Sequence, residues 1–102
     1  MKESDKISLK FRGGIIYIVL EDEIIGKIDC TYETLENMQI DEEYRGNGYG
    51  TEALSQYVNL AKENNFRYIR TTPVLSDAME TILRKQGFEP CEDNNAEFEL
   101  HI

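Results

Sequence analysis

Apolar and polar residues alternate at the start of the chain, with Ile7, Leu9 and Phe11 on one side and Lys6, Ser8 and Lys10 between them, which predicts a half-buried strand. Arg12-Gly13-Gly14 reads as a tight turn into IIYIVL, residues 15–20, a continuous apolar strand. EDE is then a charged turn, and IIGKIDCTY, residues 24–32, a further strand. Everything up to Tyr32 therefore predicts an antiparallel meander without helix signals. Residues 35–40 are the next candidate strand, and Gly46, Gly48 and Gly50 follow it directly.

From Thr51 to Asn64 the period changes. Ala53, Leu54, Tyr57, Val58 and Ala61 recur at helical spacing, with Glu52, Gln56, Asn59 and Glu63 on the opposite stripe. This amphipathic helix should stop at Asn64-Asn65, because asparagine tolerates the left-handed cap conformation. Phe66 to Thr72 returns as a strand closed by Pro73. A second helix is signalled by Ser76 or Asp77 as N-cap, by Ala78, Met79, Ile82 and Leu83 on one stripe, and by Arg84 and Lys85 in the last turn. Gly87 is its natural end. Phe98, Leu100 and Ile102 alternate with charged residues as a terminal strand.

At 102 residues, with a 40% hydrophobic fraction, the chain reads as one globular domain over 1–102. No apolar run is long enough to cross a bilayer, and the polar start MKESDKIS lacks the core of a signal peptide, so a cytoplasmic location is expected. Cys30 and Cys91 then read most simply as free thiols, and no metal site is expected. Twenty acidic against eleven basic residues give a net charge of −9, which disfavours nucleic acid and acidic membranes as partners. Cationic partners are favoured, or else the charge serves solubility alone.

The chain has only seven glycines, so three within residues 46–50 need a reason. Glycines entering a helix let an anion reach unpaired backbone N–H groups, although the same cluster also serves as a plain turn. The Walker-type phosphate loop is excluded, because Thr51 and Glu52 follow Gly50 and no lysine comes before Lys62. The dinucleotide fingerprint is excluded too: its glycine spacing and parallel βαβ setting are missing.

What remains, Arg45-Gly46-Asn47-Gly48-Tyr49-Gly50, fits the pattern R/Q-x-x-G-x-G/A, and here the sequence resembles the GNAT superfamily of acyl-CoA-dependent N-acetyltransferases. YRGNGYG after a strand and before an amphipathic helix, RYIRTTPV as the next strand, ILRKQGFEP as a closing helix ending in Gly-Phe, and EDEIIGKI as an early hairpin carry the resemblance over roughly residues 14–102. It implies an α/β (α+β) fold, a mixed, mostly antiparallel sheet with two main helices. It also implies that acetyl-CoA lies between two splayed strands, its pyrophosphate on the amides of Arg45, Gly46, Asn47, Gly48, Tyr49, Gly50 and Thr51. The pantetheine would pair with Met38, Gln39 and Ile40, and Ser76 would hydrogen-bond the cofactor. On this reading Gly48 and Gly50 admit the phosphates and Gly46 helps the turn, while Tyr44 and Tyr49 pack on the cofactor or on the core.

The resemblance further implies a carboxylate base on the strand before the loop. Glu36 shares parity with Met38 and Ile40, with Glu33 as the fallback if a bulge shifts the register. The family's tyrosine acid, four residues before Gly-Phe, is Leu83 here. The helices that usually separate the first two strands are replaced by Gly13-Gly14, leaving an open acceptor face, suited to a bulky substrate or completed by a second subunit. His101 is a further residue that this face brings into question. The implied activity is acetyl transfer from acetyl-CoA to a primary amine, on a protein lysine, an N-terminus or a small polyamine-like acceptor. Glu33, Glu36, Glu42 and Glu43 would attract it. The alternatives are a CoA-binding module without catalysis that docks a basic partner protein, and a small domain that binds no nucleotide.

Overall fold

The structure, a computed structural model, describes residues 7–102. Lys6 and the rest of the polar start lie outside them. Four antiparallel strands open the chain: β1 (Ile7–Arg12), β2 (Ile15–Leu20), β3 (Glu23–Thr31) and β4 (Thr34–Ile40). Gly13 and Gly14 join the first pair with φ of +59° and +84°, the left-handed pair that a two-residue hairpin turn requires. Glu21 and Asp22 make the next turn at +50° and +72°, without glycine. Tyr32, expected at the end of a strand, instead takes φ +53° in the turn before β4.

Helix α1 (Tyr49–Glu63) carries the chain across to β5 (Tyr68–Thr71), which pairs parallel with β4. Helix α2 (Asp77–Lys85) and the short β6 (Glu89–Pro90) precede β7 (Phe98–His101). The sheet runs β1-β2-β3-β4-β5-β7-β6, with β4–β5 its parallel pair. This is the mixed, mostly antiparallel sheet that the resemblance implies. Asn65 at φ +66° and Gly87 at +96° end the two helices, where the sequence signals stood. The start of α1 is two residues earlier than its periodicity indicates, because Gly50 belongs to the helix. A Cβ there would come within 3.0 Å of Ile82 Cδ1, so this glycine lets α1 approach α2.

The core lies between one face of the sheet and the helices: Ile16, Ile18, Ile28 and Leu35 pack with Leu54, Tyr57 and Val58 of α1 and Leu83 of α2. Each buried aliphatic side chain contributes about 1.5–3 kcal/mol. Lys10, Arg12, Tyr17, Lys27 and Gln39, on the opposite face, are exposed or half-buried. Two bulges disturb the alternation. One sets Ile25 as an extra residue in β3. The other, between Asp29 and Cys30, leaves Glu36 unmatched in β4, and strand parity changes there.

Candidate functional site

The site begins where β4 parts from β5. Their ladder holds only Thr34 opposite Arg70 and Leu35 opposite Thr71. Thr72 N donates to Leu35 O at 3.1 Å and Thr72 Oγ1 to Glu36 O at 2.9 Å. Pro73, with no N–H, cannot extend the pairing. Beyond this point Met38 to Ile40 keep β3 as their neighbour on one side only. The resulting wedge holds two adjoining cavities.

The larger, of about 690 Å³, lies among the end of β4, the glycine loop, the N-terminus of α1 and the side of α2. Gly46 and Gly48 stand at φ +82° and +83°, and a Cβ on either would meet nothing within 4 Å, so both flank open space. The first α1 bond runs from Glu52 N to Gly48 O, leaving the N–H groups of Tyr49, Gly50 and Thr51 ahead of it without helical partners. Gly48, as N-cap, has no side chain to satisfy them. Arg45 and Lys85 are the charged residues lining this cavity, both basic although the chain carries −9. The cradle therefore fits an anionic group. The Arg45 guanidinium is partly engaged, its Nε donating to Ile40 O at 2.8 Å.

Of the residues expected to hold a cofactor, Met38, Gln39, Ile40, Arg45, Gly46, Gly48, Tyr49, Gly50, Thr51 and Ser76 all line this cavity. Asn47 does not; its side chain folds back, Nδ2 donating to Tyr44 O at 3.1 Å, and braces the loop. Tyr44 and Tyr49 pack 6.5 Å apart between ring centres, and both line the cavity. The Tyr44 hydroxyl donates to Glu23 Oε1 at 2.9 Å, which ties the β2–β3 hairpin to the loop and, more than any other cause, raises the phenol's pKa.

The smaller cavity, of about 310 Å³, lies between β4 and the β5–α2 loop, and its one charged lining residue is Glu36. Met38, Ser76 and Met79 line both cavities and stand at their boundary. The bulge corrects the parity expected for Glu36: it is exposed, whereas Leu35 is buried and Met38 and Ile40 are half-buried, so it does not share their face. It reaches the cavity at its rim. Glu33, the fallback, lies in the turn before β4 and lines neither cavity, and the same holds for Glu42 and Glu43 on a 3-10 turn and for His101. Ser76 caps α2, its Oγ accepting from Met79 N at 2.9 Å.

Sequence reasoning missed the contribution of α2. Ala78, Met79 and Ile82 read as core positions and Lys85 as a charge near a helix end, yet all four line the larger cavity. Within α2 only Leu83 is buried, at 0% exposure. Ala78, Met79 and Ile82 share one stripe with Leu83, so spacing alone could not separate cavity wall from core. Cys30 and Cys91 are free thiols, each with its pKa raised chiefly by burial. Among the described residues no cluster of His, Cys, Asp and Glu could hold a metal, and no helix is long and apolar enough to cross a membrane.

A glycine-lined, basic cradle at a helix start beside a splayed parallel pair of strands has the shape and charge to admit an anionic ligand. The family model of the acetyltransferase (GNAT) family matches residues 2–88, and the chain belongs to that family. No curated protein matches it in sequence. Among solved structures it is similar to a GNAT family acetyltransferase from Elizabethkingia anophelis with acetyl-CoA bound, at 15% identity and a TM-score of 0.73, covering 99% of this chain and 100% of that one. It is also similar to an acetyltransferase from Thermus thermophilus (18% identity, TM-score 0.68, 86% of this chain and 63% of that one). A PaiA N-acetyltransferase from Thermoplasma acidophilum in complex with coenzyme A compares similarly (16%, 0.69, 86% and 60%). The chain thus spans less than two thirds of the length of the latter two.

Proposed function

We propose that this chain transfers acetyl from acetyl-CoA directly to a primary amine. The observation that carries the reading is the pair of adjoining cavities with opposite charge, Arg45 and Lys85 in one, Glu36 in the other, joined at Met38, Ser76 and Met79. An anionic donor and a cationic acceptor would each find a complementary wall and meet at the shared boundary. Acetyl-CoA, when bound, supplies an acyl group already activated as a thioester, so transfer forms one N–C bond, breaks one C–S bond and leaves the amine's proton for the departing thiol.

The free N–H groups at the start of α1 would hold the phosphates, and the unpaired edge of β4 at Met38 and Ile40 would orient the pantetheine. Glu36, at the rim, would draw in the ammonium and take its proton. Ser76 Oγ accepts from Met79 N and keeps its own O–H to donate where the two cavities adjoin. With two free thiols, a cytoplasmic setting fits this chemistry.

Leu83 favours a second reading, a CoA-binding module without turnover, since its buried side chain offers no proton where the family's tyrosine stands. One experiment separates the two. CoA at 100 times its dissociation constant should stabilise the fold by about 2.7 kcal/mol, visible as a raised Tm. Thiol release from acetyl-CoA in the presence of amines should then fall at least tenfold in Glu36→Gln. Binding without release on any amine supports the module, and no Tm shift at millimolar CoA ends both readings.

A further inference from the structure

We infer that the acceptor is a primary amine with a single positive charge and an apolar body next to it, rather than a polyamine or a polyhydroxylated amine. The inference rests on the acetyl-transfer reading and concerns the smaller cavity. Its wall is mostly apolar, from Leu35, Met38, Pro73, Val74, Leu75 and Met79.

The hydroxyls that line the same cavity already have protein partners, and the one O–H still free, on Ser76, can only donate and so cannot serve an ammonium. Thr71 Oγ1 donates to Thr72 O at 2.8 Å and accepts from Phe98 N at 3.0 Å. Thr72 Oγ1 donates to Glu36 O, and Ser76 Oγ accepts from Met79 N. The Thr72 bond ties the β5–α2 loop to β4, and neither threonine keeps a proton to offer the hydroxyls of a ligand. The side chains of Glu36 and Asn37, both exposed at the bulge, are the polar groups left at the mouth. One carboxylate matches one ammonium. A second ammonium, or a run of hydroxyls, would press against apolar wall and lose its water without replacement, at a cost of roughly tenfold or more in affinity per unmatched group.

The rim supplies the complementary half. Leu75 is 94% exposed, standing at the edge of the cavity on the loop between β5 and α2. An apolar group beside the amine would cover it and remove both surfaces from water. A volume of about 310 Å³ admits a group of a few carbons or one ring with its amine, which suits either a free alkyl- or arylalkylamine or the first residue of a peptide with an apolar side chain.

The chain has three methionines, and two of them, Met38 and Met79, line this cavity, so methyl-labelled methionine gives a readout independent of turnover. The protein would be titrated, with and without saturating CoA, with phenethylamine, a leucine-initiated dipeptide amide, spermidine and kanamycin. We expect the first two to shift the Met38 and Met79 signals and to bind at least tenfold more tightly than the last two. Leu75→Ser should remove most of that preference; at 94% exposure it removes no core contact. Tighter phenethylamine identifies a free amine as the source, and tighter dipeptide a chain end. Tighter spermidine or kanamycin, an unchanged preference in Leu75→Ser, or no shift with any amine would overturn the inference. Failure of CoA itself to perturb these methyls would count against the acetyl-transfer reading, while the amine titration without CoA still reports on the cavity.

Discussion

Gly48 holds φ +83° at the head of α1, with nothing within 4 Å of where a Cβ would stand. Alanine there meets no protein atom, so its cost to folding is the left-handed backbone alone, about 1–2 kcal/mol. Gly13→Ala, at φ +59° and also in open space, carries a comparable cost far from the wedge. In urea denaturation the two variants should therefore lose similar stability, while calorimetry with CoA should show affinity lost only in Gly48→Ala. Equal affinity in both would make the loop a turn and nothing more. Tyr57 poses the opposite case: its hydroxyl is buried beside Cys30 and makes no well-formed hydrogen bond among the described residues. Removing an unmet buried polar group is neutral or stabilising, so Tyr57→Phe should unfold at the same or higher Tm, and a loss above about 1 kcal/mol would reveal a partner for the phenol.

Among the elements, α2 does two tasks with nine residues: Leu83 anchors it in the core, while Ala78, Met79, Ile82 and Lys85 form a wall of the cleft. A helix so short depends on its cap. Ser76→Ala should cost about 1 kcal/mol, and Ser76→Asp, which restores an acceptor for Met79 N, should recover most of it in thermal unfolding. If Ser76 also donates to the cofactor, Ser76→Asp will recover stability without recovering CoA affinity. Strand β4 is constrained from the other side, because a Cβ on Gly26 would collide with the Gln39 carbonyl oxygen of the neighbouring strand. The close β3–β4 approach that sets the wedge edge thus rests on one glycine with an ordinary φ.

For the whole molecule, the buried acids decide how stability follows pH. Cys30, Cys91 and Tyr57 all have pKa values raised in the folded state, chiefly by burial. The folded chain therefore holds these protons more tightly than the unfolded chain. Their contribution is complete below the unfolded thiol pKa of about 8.5 and is lost as pH rises through the higher folded values. Tm should fall from pH 8.5 to 10.5, with alkylation of both thiols slow at pH 7.5 and slower for buried Cys91 than for half-buried Cys30. A flat Tm over that range would contradict the raised values.

The sequence by itself determined the larger elements and the glycine loop, though not the short β6. Alternation made the meander, helical spacing made both helices, and the glycines at 46 and 48 marked backbone that only an unhindered residue adopts readily, because these are local choices settled by each residue's own conformational cost. Ser76 and Asn65 stood as end signals for the same reason. Only the tertiary structure decided what depends on distant partners. Parity along β4 predicted one face for Glu36, Met38 and Ile40, and a bulge set by the pairing with β3 broke it. Gly50 read as a phosphate glycine, and its contact with Ile82 of another helix gives it a packing role as well. The stripe of α2 read as core because apolar spacing cannot distinguish a face covered by protein from one that lines a cleft. Where β4 and β5 separate, and hence where two cavities of opposite charge meet, follows from the last hydrogen bonds of Thr72 to a strand thirty-odd residues earlier, a junction that no local pattern records.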